Sequence, residues 1–120
     1  MPERPRPPED IPPAEFFTRW VPTAVAEDAE RRKKLGGSDA TIHFELLGEG
    51  GGDYAIQLVA GEVRGVEGMP ERSDLHVRLD VPTWRELNAG RLSAPEAIVR
   101  RRVKLRGDFL LAIKLHFILG

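Results

Sequence analysis

The chain has no cysteine, one tyrosine and two tryptophans, and no real excess of either charge. The lack of cysteine excludes disulfides, thiolate metal sites and a cysteine nucleophile, and suits a reducing compartment. A formal net charge of −1 gives no general attraction to nucleic acid, and so few rings leave little to stack on bases. No serine or threonine sits in a nucleophile elbow, and no pair of carboxylates stands out as acid and base. Gly48 to Gly52 is glycine-rich, but neither Gly-Lys-Ser/Thr nor a helix follows, so it is a hairpin turn rather than a phosphate loop. His43, His76 and His116 lie on separate elements, without the i, i+4 spacing of a helical metal pair. These absences point away from an enzyme, a metal site and a cofactor. No signal-peptide core opens the chain, and its most apolar stretch is far shorter than the roughly 20 residues that span a bilayer, so a cytoplasmic protein is expected.

What is present fits one globular domain: 120 residues, 41% hydrophobic and 31% charged. Six of the ten prolines fall in the first thirteen residues, among Glu3, Arg4, Arg6, Glu9 and Asp10. That composition predicts a disordered proline-rich leader over 1–13, with the folded domain over 14–120. Phe16, Phe17, Trp20, Val21, Ala24 and Val25 then mark the apolar face of a helix over 14–35, kinked or restarted at Pro22 and stopped by Gly36-Gly37. The run Arg31 to Lys34 ends that helix, where cations meet the dipole favourably. Alternation predicts hairpin strands at 42–46 and 54–58, a short strand at 63–66 and a fourth at 75–80. Two short helices follow, from Pro82 to Gly90 and from Ala94 to about Arg101, the second opened by the capping box Ser93-Ala94-Pro95-Glu96. Val103 and Leu105 alternate with Arg102, Lys104 and Arg106 as a fifth strand. Gly107 breaks the pattern, and Asp108 is placed to cap a terminal helix. Five strands with segregated helices indicate an α+β two-layer sandwich.

The terminal helix carries only two polar residues, Lys114 and His116, among the eleven positions from Phe109 to Leu119. A helix that covers a sheet needs one apolar stripe, so the surplus must face another helix, a partner chain or an apolar ligand. Charge is also unevenly spread: eight acids and two bases from Asp39 to Asp74, but seven bases and two acids from Arg91 to Gly120. Arg100, Arg101, Arg102, Lys104 and Arg106 form either a solvated strand face or a patch for transient contact with anionic lipid headgroups.

Three stretches carry a resemblance: Asp74 to Asp80; Trp84-Arg85-Glu86-Leu87-Asn88-Ala89-Gly90-Arg91-Leu92 with Pro95-Glu96-Ala97; and Val103-Lys104-Leu105-Arg106-Gly107-Asp108 running into Ala112-Ile113-Lys114-Leu115. With the order of elements from Ala14 to Gly120, they make the chain similar to the sterol carrier protein type 2 family, found also as bacterial lipid-binding modules. The resemblance implies a five-stranded, mostly antiparallel sheet covered by helices on one face, with an apolar tunnel between the layers for a fatty acid, acyl-CoA or sterol-like ligand. It also implies no chemistry by the domain itself. Trp84, Leu87, Ile98, Phe109, Ala112, Ile113 and Phe117 are the candidate ligand-binding residues. The competing reading keeps the fold but fills its cavity with side chains, leaving an interaction or dimerisation module. Either a monomer or a homodimer is compatible with the sequence.

Overall fold

In the computed structural model of the chain, residues 6–37 and 39–119 are described, with side chains for 6–37 and 39–116. The helical N-terminal segment runs from α1 (Pro13–Glu15) through a π-helical turn (Phe16–Trp20) into α2 (Val21–Glu27). Pro22 cannot donate a backbone N–H, and its ring crowds the carbonyl four residues back. The wide turn just before it, closed by Val21 N–H donating to Phe16 O, makes room for that ring. It also turns Phe16, Phe17 and Val21 inward together, at 5%, 1% and 1% exposure. Beyond the expected kink or restart at Pro22, the helix to Leu35 breaks a second time, at Asp28, whose extended backbone ends α2 and caps α3 (Ala29–Leu35). The Asp28 carboxylate accepts from the N–H groups of Glu30 and Arg31, so it offers the new helix start more than continuation would. Arg31 departs from the solvated helix end expected of it: it is buried, lies 3.5 Å from the Asp28 carboxylate, and sits over the Trp20 ring.

The strands are β1 (Ala40–Leu47), β2 (Gly52–Val59), β3 (Glu62–Glu67), β4 (Leu75–Asp80) and β5 (Val103–Gly107), in spatial order β3-β2-β1-β4-β5. All neighbours are antiparallel except β1 and β4, which run parallel with Ile42 beside Leu75 and Leu46 beside Leu79. Helices α4 (Val81–Asn88), α5 (Ala94–Val99) and α6 (Phe109–Leu119) complete an α+β two-layer sandwich. Period-2 alternation sends Ile42, Phe44 and Leu46, Tyr54, Ile56 and Leu58, and Leu75, Val77 and Leu79 to one face, where they meet Phe17, Val21, Val25 and Leu35. Edge strand β3 lies against the π-helical turn so closely that a side chain on Gly65 would overlap the Phe17 carbonyl.

The leader departs from expectation in its described part. Ile11 is 5% exposed and belongs to the core, and Pro13 already lies in α1. Arg85 donates to the carbonyls of Glu9 and Ile11 at 2.9 and 2.7 Å, and Arg6 donates to Ala89 O at 2.7 Å. Arg85 of α4 thus satisfies carbonyls of a proline-rich segment that makes one turn of its own, Ile11 N–H donating to Pro8 O at 3.2 Å. Residues 1–5 lie outside the described residues. Removing residues 1–12 is expected to cost about 2 kcal/mol, chiefly the burial of Ile11, and to lower the melting temperature by roughly 10 °C. Thermal unfolding followed by circular dichroism checks this; an unchanged midpoint would show that the segment contributes nothing.

Candidate functional site

The candidate site is the apolar layer under α4 together with the exposed face of α6. Helix α4 starts directly from β4, because Asp80 ends the strand and accepts from Thr83 N–H at 2.8 Å. Hydrogen bonds from the Thr83 side chain and backbone, with the Arg102 charge, hold the Asp80 carboxyl below the usual carboxylate range despite some loss of hydration. Arg102 also ties α4 to the foot of β5, donating to Thr83 Oγ1 at 3.2 Å and Glu86 Oε2 at 2.9 Å. This arginine is therefore no solvated strand residue, whereas Lys104 and Arg106 are exposed as expected.

Trp84 is 4% exposed and enters an aromatic cluster, 5.3 Å edge-on to Phe16 and 6.2 Å from the Phe17 ring. Phe17 in turn lies 4.9 Å from both Phe44 and Tyr54. Burial, with Glu67 and Asp53 nearby, raises the Tyr54 pKa, so the phenol stays neutral. Leu87 is half-buried against the same core. Both candidates from the sequence thus pack into the core between sheet and helices.

The terminal helix divides its apolar residues between two directions. Asp108 caps it as expected, its carboxylate accepting from the N–H groups of Leu110 and Leu111. Leu111 and Leu115 are buried, Ala112 is half-buried, and Lys114 donates to Leu35 O at 3.0 Å, docking the helix on the end of α3. Phe109, Leu110 and Ile113 face outward at 62%, 79% and 55% exposure. The Phe117 side chain lies outside the described residues. On α5, Ala97 is buried, while Ile98 and Val99 are 44% and 81% exposed, so Ile98 does not line the interlayer. The seven candidates are thus not gathered in one cavity.

Two features were missed by sequence reasoning. The first is an open groove of about 570 Å³ on the outer side of the N-terminal helices, with Ile11, Trp20, Ala24 and buried Arg31 in its lining. The second lies on the uncovered sheet face, where His43 and His76 stack with ring centres 4.4 Å apart. Asp53 takes His43 Nε2 at 2.7 Å and Glu45 takes His76 Nε2 at 3.0 Å. The parallel register of β1 and β4 creates this pair, and alternation within single strands carries no signal for it.

Residues 20–120 match the model of the SCP-2 sterol transfer family. Hydroxysteroid dehydrogenase-like protein 2 of Rattus norvegicus is 26% identical over 108 residues, which are 88% of this chain and 21% of that protein. The inverting sec-alkylsulfatase Pisa1 from Pseudomonas sp. superposes with a TM-score of 0.65 and 27% identity over 91% of this chain and 16% of its own. Palmitated SCP2L2 from Aedes aegypti shares the fold at a TM-score of 0.70 and 17% identity, covering 88% of this chain and 93% of its own. The chain therefore spans about a fifth or less of the first two proteins, but nearly all of the third. Among the described residues, no helix is long and apolar enough to cross a membrane.

Proposed function

Since the chain belongs to the SCP-2 sterol transfer family, we propose that it is a lipid-binding and transfer domain that holds a fatty-acyl or sterol-like molecule in the apolar layer between sheet and helices. It does so without chemistry of its own, and in the cytoplasm. The observation that carries this reading is the second apolar stripe of α6. Leu111 and Leu115 already attach the helix to the core, so Phe109, Leu110 and Ile113 are not needed to hold the fold, yet they stand in water. Hydrocarbon laid against them and drawn under the helix would gain roughly 0.8 kcal/mol per buried CH₂. The palmitated state of the insect neighbour supports the same ligand class. Lys104 and Arg106, exposed on β5 next to α6, suit a transient approach to anionic headgroups.

The delipidated protein is expected to bind a fluorescent long-chain fatty acid saturably, at micromolar or lower concentration. Ile113→Asp should keep its melting temperature within a few degrees, because the side chain is half in solvent, and should weaken binding about tenfold by setting a carboxylate against hydrocarbon. Absence of saturable binding in the wild type would reject the carrier reading. Undiminished affinity in the variant would remove α6 from the ligand site. The exposed stripe equally suits a homodimer contact, and a dimeric wild type with a monomeric variant would favour that alternative.

A further inference from the structure

Two buried polar atoms of α4 are left unpaired by the fold. Among the described residues, Trp84 Nε1 and Asn88 Nδ2 are buried donors without a hydrogen-bond partner. They stand at positions i and i+4 of α4, one turn apart on a single face. The same face carries Leu87 into the core. A buried N–H without an acceptor has surrendered its water for nothing, and such groups are scarce enough in folded proteins to need an explanation. Two donors one turn apart suit an acceptor with two oxygens. The charges around α4 favour an anion: Arg85 lies 4.9 Å from the centre of the Trp84 ring, Arg102 is on Glu86 and Thr83, and Arg6 and Arg91 reach Ala89 and Glu9. Against these four arginines stand the carboxylates of Glu9, Asp80 and Glu86.

We propose that Trp84 and Asn88 form the polar end of the lipid site and hold the carboxylate of a fatty acid whose chain occupies the apolar layer. This rests on the carrier reading above and narrows it from lipids in general to those with an anionic oxygen head. Trp84→Phe keeps a ring in the aromatic cluster and removes the N–H, while Asn88→Leu replaces the amide by a hydrocarbon of similar shape. The test is calorimetric titration of the full chain with laurate and with 1-dodecanol, alongside thermal unfolding without ligand. Each variant should bind laurate about tenfold more weakly and dodecanol within about threefold of wild type. Asn88→Leu should not melt below wild type, since the donor it loses is unsatisfied, whereas Trp84→Phe gives up part of a buried ring and should melt somewhat lower.

Equal losses for both ligands, or unchanged laurate affinity, would overturn the assignment. So would a lower melting temperature of Asn88→Leu, which would mean that a structural water serves the donors. A wild type that binds dodecanol but not laurate would overturn this inference alone. A wild type that binds neither would overturn the carrier reading with it.

Discussion

Gly65→Val is expected to abolish cooperative folding. Gly65 sits in β3 where the π-helical turn crosses the sheet edge, and even a bare Cβ there would overlap the Phe17 carbonyl and lie 2.6 Å from its carbon. Both partners are backbone, so no rotamer change relieves the contact. The turn would have to lift, carrying Phe16 and Phe17 out of the aromatic cluster they form with Trp84 and Tyr54. Removing a single buried phenylalanine typically costs about 3–5 kcal/mol, already a large part of a small domain's stability. Gly65→Ala should therefore be severely destabilised too. Gly37→Ala is the matched control, because nothing lies within 4 Å of the added carbon. Urea unfolding of the three variants checks the argument. A Gly65→Ala protein as stable as the control would show that the turn is not seated on β3.

Gly107→Val should be the next most damaging change. The residue adopts φ +116° where β5 ends and α6 begins, and its added Cβ would overlap the Asp74 carbonyl. That same carbonyl accepts from Asp108 N–H at 2.8 Å, so the clash falls on the bond that anchors the start of the helix. Strain at a glycine-only backbone position costs about 1–3 kcal/mol before the clash is counted. A fall of roughly 10–20 °C in melting temperature is expected, with fatty-acid binding lost at temperatures where the sheet persists. Gly107→Ala should fall short of valine in both respects. An unchanged midpoint for the valine variant would mean that the junction tolerates another path.

The switch at Gly107-Asp108 was legible because chemistry and period change at the same residues: alternation stops, a glycine intervenes, and a carboxylate stands ready for orphan N–H groups. The strands were legible for a similar reason, since period-2 burial needs only neighbours in sequence. Pairing needs more. Alternation assigns His43 and His76 to a face, but only the register of β1 on β4 makes them stack. Ile11 was hidden by its company, because six prolines and several charges read as unpackable chain, and the one arginine that satisfies its carbonyl, Arg85, lies on α4. Asp28 broke the first helix without a glycine or proline to announce it. On the candidate site, Trp84 and Leu87 pack into the core between sheet and helices. Phe109 and Ile113 turned outward because Leu111 and Leu115 took the inward stripe, and hydrophobicity on all sides of a helix does not say which side docks.

Strand order β3-β2-β1-β4-β5 divides the chain into a locally connected half and a returning half. The meander β1-β2-β3 closes through short links, whereas β4 must come back across all of it to lie beside β1, at a greater entropic cost of loop closure. The meander is therefore the natural early structure, and β4 and β5 add to it, with α6 docking beyond β5. In reverse, α6 can peel away without breaking a single rung of the sheet, so it can open while the sheet stays intact. A cargo that enters beside α6 would pay only for that small undocking, and its exchange rate would be set by a helix hinge rather than by the stability of the domain.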